Sequence, residues 1–275
     1  MQMRMVDAGG VATRCVTAGD EAAPAIFLLH GLALTADVWL RNVDALAQSH
    51  RVVAFDMLGH GFTKPADDRP VDIPAKIRHL KSLADALGID RFALCGSSYG
   101  GLMSALFFLE NKERVTKLVI NGSGSCFNTE QQLSAQVARL FELYEPTLTT
   151  STPEMWRARI GNNFYDINKV PAELLLIAPL CYAQPWAAPR WAETMAGMKA
   201  DRFRPYRILE RLEQITLPTL VVWGRDDKGG LLESAEVAVA RMPRARLVTF
   251  DNCGHYPMIE HPEEYNRLVT DFLSK

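Results

Sequence analysis

The segment Cys95-Gly96-Ser97-Ser98-Tyr99-Gly100-Gly101 lies between an apolar run, Arg91-Phe92-Ala93-Leu94, and an amphipathic helical pattern. This is G-x-S-x-G at a strand-to-helix junction, where a serine is forced onto a sharp turn with its hydroxyl exposed. Glycine is needed two positions either side of Ser98 because neighbouring backbone passes where a β-carbon would clash. The pentapeptide alone recurs by accident in chains of 275 residues. Its meaning rests on its surroundings.

Those surroundings alternate between strand and helix. Val11–Ala18, Ala25–Leu29 and Arg51–Asp56 read as strands. Ile73, Ile77, Leu80, Leu83, Ala84 and Leu87 recur at the three-to-four spacing of a helix packed on a sheet, and Gly88 ends it. Leu118–Asn121 is a strand, and the alternation resumes with strands Thr219–Trp223 and Leu247–Phe250 and helices Leu231–Arg241 and Pro262–Leu273. Such alternation predicts a mostly parallel sheet covered on both faces, hence an α/β fold. Between 125 and 212 strand signals vanish. Helical periodicities (Leu133, Val137, Leu140, Phe141, Tyr144) appear instead, interrupted by prolines. We read residues 1–124 and 213–275 as two parts of one α/β core and 125–212 as a helical lid inserted between them.

Composition narrows the function classes. Formal net charge is −2 and no basic block appears, so nucleic acid is not an expected partner. No stretch is long enough to span a bilayer, and the first residues lack a signal-peptide core. Five scattered cysteines without a C-x-x-C pair suit reduced, buried thiols and a cytoplasmic location. No G-x-G-x-x-G follows the first strand and no metal-ligand spacing occurs, so neither an organic cofactor nor a metal is expected. The expected partner is a small-molecule substrate, with homodimerisation left open.

Reacting groups in open α/β sheets gather at the carboxyl ends of strands. Four predicted strands end in chemically useful residues: His30-Gly31-Leu32, Ser98, Gly224-Arg225-Asp226-Asp227 and Asn252-Cys253-Gly254-His255. A serine hydroxyl needs a base, and an imidazole needs a carboxylate to hold its other nitrogen. The chain order serine, aspartate, histidine suits this sheet type. Ser98 is therefore the expected nucleophile and His255 the base, with Asp226 or Asp227 as the orienting acid. Backbone N–H groups of Tyr99 and Leu32 are the expected oxyanion donors. His30 reads as a pocket residue or as a histidine holding loop backbone. Phe127, Trp156, Tyr182, Trp186 and Tyr256 are further candidates for the substrate pocket, although bulky residues at helical spacing also build a lid's own core.

These motifs resemble the α/β-hydrolase superfamily over nearly the whole chain outside the lid. They include His30-Gly31, Asp56-Met57-Leu58-Gly59-His60-Gly61, Gly96-Ser97-Ser98-Tyr99-Gly100-Gly101, Trp223-Gly224-Arg225-Asp226-Asp227 and Cys253-Gly254-His255-Tyr256-Pro257-Met258-Ile259-Glu260-His261-Pro262. The resemblance implies that fold, and it selects Asp227 over Asp226. Within the superfamily the chain is similar to meta-cleavage-product hydrolases, which break a C–C bond in ring-opened dienoates. It departs from them at Leu32-Ala33-Leu34, where a glycine-rich run is usual, at Ser97, where asparagine is usual, and at Tyr256, where tryptophan is usual. That group also implies a lid arginine for the dienoate carboxylate. Arg157, Arg159 and Arg190 are available without a matching context. These departures favour hydrolysis of carboxylic esters of small, largely apolar substrates through an acyl-enzyme. C–C hydrolysis of dienoates is the alternative, and a non-hydrolytic binding or cofactor-free relative comes after it.

Overall fold

The computed structural model describes residues 1–66, 69–149 and 152–275. Its sheet holds β1 (Gln2–Asp7), β2 (Ala12–Ala18), β3 (Ala25–Leu29), β4 (Arg51–Phe55), β5 (Phe92–Ser97), β6 (Val115–Asn121), β7 (Thr219–Gly224) and β8 (Ala245–Phe250). The spatial order is β1-β2-β4-β3-β5-β6-β7-β8. β3 to β8 pair in parallel, while β2 pairs antiparallel with both β1 and β4. This is the α/β-hydrolase fold. The sequence pattern does not predict β1. It is an edge strand whose half-buried residues, Arg4 and Val6, alternate with exposed Met3 and Met5, so polar and apolar residue types do not follow the in–out alternation.

The helices are α1 (Val43–Leu46), α2 (Ile73–Ala86), α3 (Tyr99–Glu110), α4 (Gly124–Phe127), α5 (Glu130–Thr149), α6 (Pro153–Gly161), α7 (Ala172–Tyr182), α8 (Ala187–Gly197), α9 (Ala200–Phe203), α10 (Leu232–Arg241), α11 (Pro257–Glu260) and α12 (Pro262–Ser274). Between β6 and β7 the described residues form α4 to α9 and short 3-10 turns, with no strand.

Side chains of a strand alternate between faces, and two apolar layers follow from that. Phe27, Leu29, Phe55, Leu94, Leu118, Ile120 and Trp223 face α2, α3 and α10. Ile26, Leu28, Ala54, Cys95, Val119, Leu220 and Val222 face α1 and α12. A sheet buried on both faces needs continuous apolar strands, which explains why β3 and β7 read as unbroken hydrophobic runs.

A buried ion cluster anchors the β3 and β4 end. Arg14 on β2 donates to both oxygens of Asp37 at 2.7 Å and reaches Asp56 Oδ1 at 3.3 Å. Asp56 also accepts from the backbone N–H groups of Ala36 (2.8 Å) and Phe62 (2.9 Å). The three side chains thus bind together β2 and the loops after β3 and β4. Burial opposes the charge on Asp37, but bidentate pairing with Arg14 outweighs it and holds the carboxyl below its usual range.

Replacing Arg14 with Met would leave two buried carboxylates without their cation, at a cost of about 3–5 kcal/mol at pH 8. Both carboxyls would then have folded-state pKa values above their unfolded ones, so stability would be lost as pH rises. Urea melts of Arg14→Met and the parent at pH 5.5 and pH 8 check this. The deficit should be larger at pH 8.

Candidate active site

The strand order reverses around β3: the chain runs from β3 to β4 on one side and returns to β5 on the other. Loops leaving β3 and β5 therefore diverge and open a crevice at their carboxyl ends. Ser98 sits there, between β5 and α3, with φ 54° and ψ −117°. A non-glycine residue in such a conformation is strained and persists only where packing leaves no alternative. The packing is visible. A β-carbon on Gly96 would lie 2.2 Å from Gly100 O, and one on Gly100 would lie 2.3 Å from Leu29 O. Ser98 N–H donates to Asn121 O at 2.8 Å, and Ser98 O accepts from Ser123 Oγ at 2.6 Å. Beneath, Tyr265 of α12 donates to Asn121 Oδ1 (3.0 Å), while Asn121 Nδ2 donates to Gly96 O (3.2 Å).

His255 lies in the loop between β8 and α11, and its Nδ1 is 2.8 Å from Asp227 Oδ2 in the loop after β7. Asp227 accepts a second bond at Oδ1 from Gly229 N–H (2.6 Å). Its carboxylate is 1% exposed and cannot exchange this partner for water. With Asp227 as acceptor, the His255 proton is on Nδ1 and the lone pair is on Nε2. Burial works against a positive imidazole. The Asp227 carboxylate, aided by Glu260, outweighs it, and the His255 pKa is raised above its ordinary value. Asp226, the other acid in this loop, is exposed.

Ser98 and His255 line one cavity of about 310 Å³, with Gly31, Leu32 and Tyr256. A β-carbon on Gly31 would touch Ser98 Cβ at 3.4 Å, which places the loop after β3 directly against the nucleophile candidate. Tyr99 is the first residue of α3, so helix geometry supplies its N–H no intrahelical acceptor. The cavity roof comes from α5. Gln132, Gln136, Arg139, Leu140 and Leu143 fall at helical three-to-four spacing on its lower face. Asn128, Asn163 and Lys228 complete the polar part of the wall, and among the described residues no acid lines it.

Of the six pocket candidates from the sequence, Tyr256 lines this cavity and five do not. His30 is fully buried. Its Nε2 accepts from Met57 N–H at 3.0 Å and its Nδ1 is 2.7 Å from Gly31 O, so it fixes the loop backbone. Burial lowers its pKa to about 4, which keeps it neutral. Phe127 packs on Trp223, with centroids 6.1 Å apart. Trp156 is fully buried, stacked on Tyr182 at 4.8 Å with the Arg159 guanidinium 4.2 Å from its ring. Trp186 lies with Tyr182 along a separate small cleft beside Gly59–Gly61. Trp156 and Phe127 are fully buried, where large indole and phenyl areas gain most, Phe127 against the sheet's Trp223, while Tyr182 and Trp186 stay half-buried. The arginines considered for a substrate carboxylate are also elsewhere. Arg159 is buried against Trp156, Arg157 lines a separate cleft beside α6 and α7, and Arg190 pairs with Glu193 at 2.9 Å.

Two groups of residues escape a reading of the sequence. Glu260, 4% exposed, accepts from Gly254 N–H (2.8 Å) and Tyr165 N–H (2.9 Å), while His255 N–H donates to Asn163 O (2.7 Å). It therefore pins the histidine loop to the inserted segment. Its only trace in the sequence is its place in Met258-Ile259-Glu260-His261-Pro262. Asn128, Gln132, Gln136 and Arg139 carry no motif; only the spacing of the last three on α5 could have suggested a shared face, and Asn128 in the turn before it gives no signal.

Residues 24–262 match the family model for the alpha/beta hydrolase fold. A 2-hydroxy-6-oxo-2,4-heptadienoate hydrolase of Pseudomonas putida is 31% identical, over 98% of this chain and 96% of that protein. A 2-hydroxy-6-oxo-6-phenylhexa-2,4-dienoate hydrolase of Burkholderia cepacia is 32% identical over 91% of this chain and 87% of its own length. The solved 2-hydroxy-6-oxo-6-phenylhexa-2,4-dienoate hydrolase of Rhodococcus sp. strain RHA1 superposes with a TM-score of 0.86 at 24% identity, covering 100% of this chain and 99% of that one. The chain thus belongs to the α/β-hydrolase family, as a hydrolase similar to the branch that acts on meta-cleavage products.

Proposed function

We propose that the protein hydrolyses the C–C bond of a ring-opened, carboxylate-bearing dienoate, with Ser98 as nucleophile, His255 as base and then acid, and Asp227 as the orienting carboxylate. The observation that carries this reading is the cavity over Ser98, which has Arg139 and Lys228 in its wall and, among the described residues, no acid. Such a site attracts an anion and repels a cation. The family's dienoate hydrolases add weight, since several at 30–32% identity act on doubly charged dienedioates. This reverses the order expected from the sequence, in which esters came first. Arg139 offers the cation that none of Arg157, Arg159 and Arg190 brings to the cavity.

The chemistry follows from the geometry. His255 Nε2 takes the Ser98 proton, and the oxygen adds to the substrate's 6-oxo carbon. Charge developing on the former carbonyl oxygen is met by the N–H groups of Leu32 and Tyr99. The adjoining C–C bond breaks only if the departing carbon can hold the electron pair. Prior transfer of the 2-hydroxyl proton to the chain makes it an enolate leaving group, to which the His255 imidazolium returns a proton. Water, deprotonated by His255, then releases the acyl group from Ser98. Asp227 stabilises the imidazolium at both stages.

Ester hydrolysis is the second reading. It needs the same nucleophile, base and oxyanion donors, and Ser97, fully buried beside the nucleophile, stands where the C–C group resembled here has asparagine.

Ser98→Ala should lose at least about a thousandfold in turnover, and Asp227→Asn a comparable factor. Because His255 must be neutral to act as base, kcat/KM should fall as pH drops through a midpoint above the ordinary imidazole value of about 6.5. A pH profile with its acid limb near 5 would contradict the assigned pair. The substrate class is decided by comparing 2-hydroxy-6-oxohepta-2,4-dienoate with p-nitrophenyl butyrate. A dienoate preference above about a hundredfold in kcat/KM, roughly 2.7 kcal/mol, is expected, and the reverse preference selects the ester. Arg139→Gln should raise KM for the dienoate more than for the neutral ester, and added salt should reproduce that difference.

A further inference from the structure

The loop that carries Asp227 is held in two halves. The N–H groups of Arg225, Asp226 and Asp227 donate within the core, to Phe250 O (2.9 Å), Cys253 O (2.9 Å) and Gly224 O (3.2 Å). The next two carbonyls are taken by the insertion instead. Arg139 Nη1 donates to Lys228 O at 3.1 Å, and Gln136 Nε2 donates to Gly229 O. Both donors come from α5, three positions apart and so on one face. A carbonyl can only accept, which fixes the Gln136 amide with its nitrogen towards Gly229.

Gly229 in turn touches the reacting pair. Its N–H donates to Asp227 Oδ1 at 2.6 Å, which leaves Oδ2 for His255 Nδ1 at 2.8 Å. A β-carbon on Gly229 would lie 3.0 Å from His255 Nδ1 and 3.2 Å from Asp227 Oδ1. One on Gly122 would lie 3.1 Å from the same nitrogen and 3.2 Å from Asp227 Oδ2. The acid–base bond thus lies against two glycine backbones. The sheet fixes Gly122, whose N–H donates to Val222 O at 3.0 Å. Gly229 makes no backbone–backbone hydrogen bond among the described residues, and glycine is the residue least able to hold its own φ and ψ. Its two peptide planes are held from α5, one at Lys228 O and one at Gly229 O. The Arg139 bond is exposed and the Gln136 bond half-buried, so Gln136 is the firmer anchor.

We propose that Gln136 is a positioning residue: by holding the Gly229 carbonyl, it keeps the Gly229 N–H on Asp227 and the carboxylate turned towards His255. This rests on Ser98, His255 and Asp227 being the reacting groups. It adds that the insertion, besides roofing the cavity, acts on the acid–base pair.

The test follows the His255 Nδ1 proton by NMR in the parent, Gln136→Leu and Gly229→Ala proteins. A hydrogen bond to a buried carboxylate moves this proton well downfield of the amides, and its loss in Asp227→Asn assigns it. In Gln136→Leu its exchange with solvent should quicken about tenfold, because the bond opens more often. Phosphonylation of Ser98 by a small alkyl fluorophosphonate, which needs the same base whatever the natural substrate, should slow about tenfold, the scale of a slightly misplaced reacting group. Gly229→Ala drives a carbon against both partners and should change both readouts further. If either readout in Gln136→Leu matches the parent, the proposal is overturned and the three reacting groups stand; slowed phosphonylation with an unchanged proton makes Gln136 a wall contact only. If the parent lacks the downfield proton, or Asp227→Asn leaves it in place, the acid–base assignment falls and the proposal with it.

Discussion

The strained turn at Ser98 sets the terms for the rest of the molecule. A side chain is held at φ 54° and ψ −117° because β5, α3 and the end of β3 pack too closely there for any β-carbon at Gly96 or Gly100. That conformation costs on the order of 1–3 kcal/mol, which is supplied by the apolar layers on both sheet faces. In return Ser98 stands at the carboxyl end of the central strands, at the point where the strand order reverses. The loops after β3 and β5 part there, and the site needs no further device to open a crevice.

Electrostatic support radiates outward from that point in two shells of hydrogen bonds. Asp227 holds His255, and Gly229 N–H holds Asp227. Glu260 ties the backbone on either side of this histidine loop to the segment Asn163–Tyr165 of the helical insertion. Burial pushes the Glu260 carboxyl's pKa up, and its backbone donors oppose that shift without cancelling it. The insertion is thus joined to the reactive loop by polar bonds and to the sheet by its aromatic core.

The cavity takes its chemical character from the insertion rather than from the sheet. The core contributes Ser98, His255 and backbone donors, which suit any acyl transfer. α5 contributes Gln132, Gln136 and Arg139, and the turn before it contributes Asn128. Most of the polar wall thus comes from the insertion, while Lys228 comes from the loop after β7.

The residue types with irreplaceable backbone or chemical roles were legible in the chain. Gly96, Ser98 and Gly100, the Gly224–Asp227 loop, Gly254-His255 and the strand runs on either side announce a sheet and the ends of its strands. Those signals are local, because a tight turn or a two-faced strand restricts residue type at one position. Asp227 needed the family resemblance, since either neighbouring acid satisfies the local pattern and only the paths of β7 and β8 decide which one meets the histidine. The pocket was not legible. Whether Trp156 or Gln136 faces Ser98 depends on how α5 and α6 rotate and dock over the sheet, and that is settled by the total apolar area they bury. The chain alone therefore determined the fold and the candidate reacting groups, while only tertiary packing decided the cavity wall, because a helix's inward face is chosen by its neighbours.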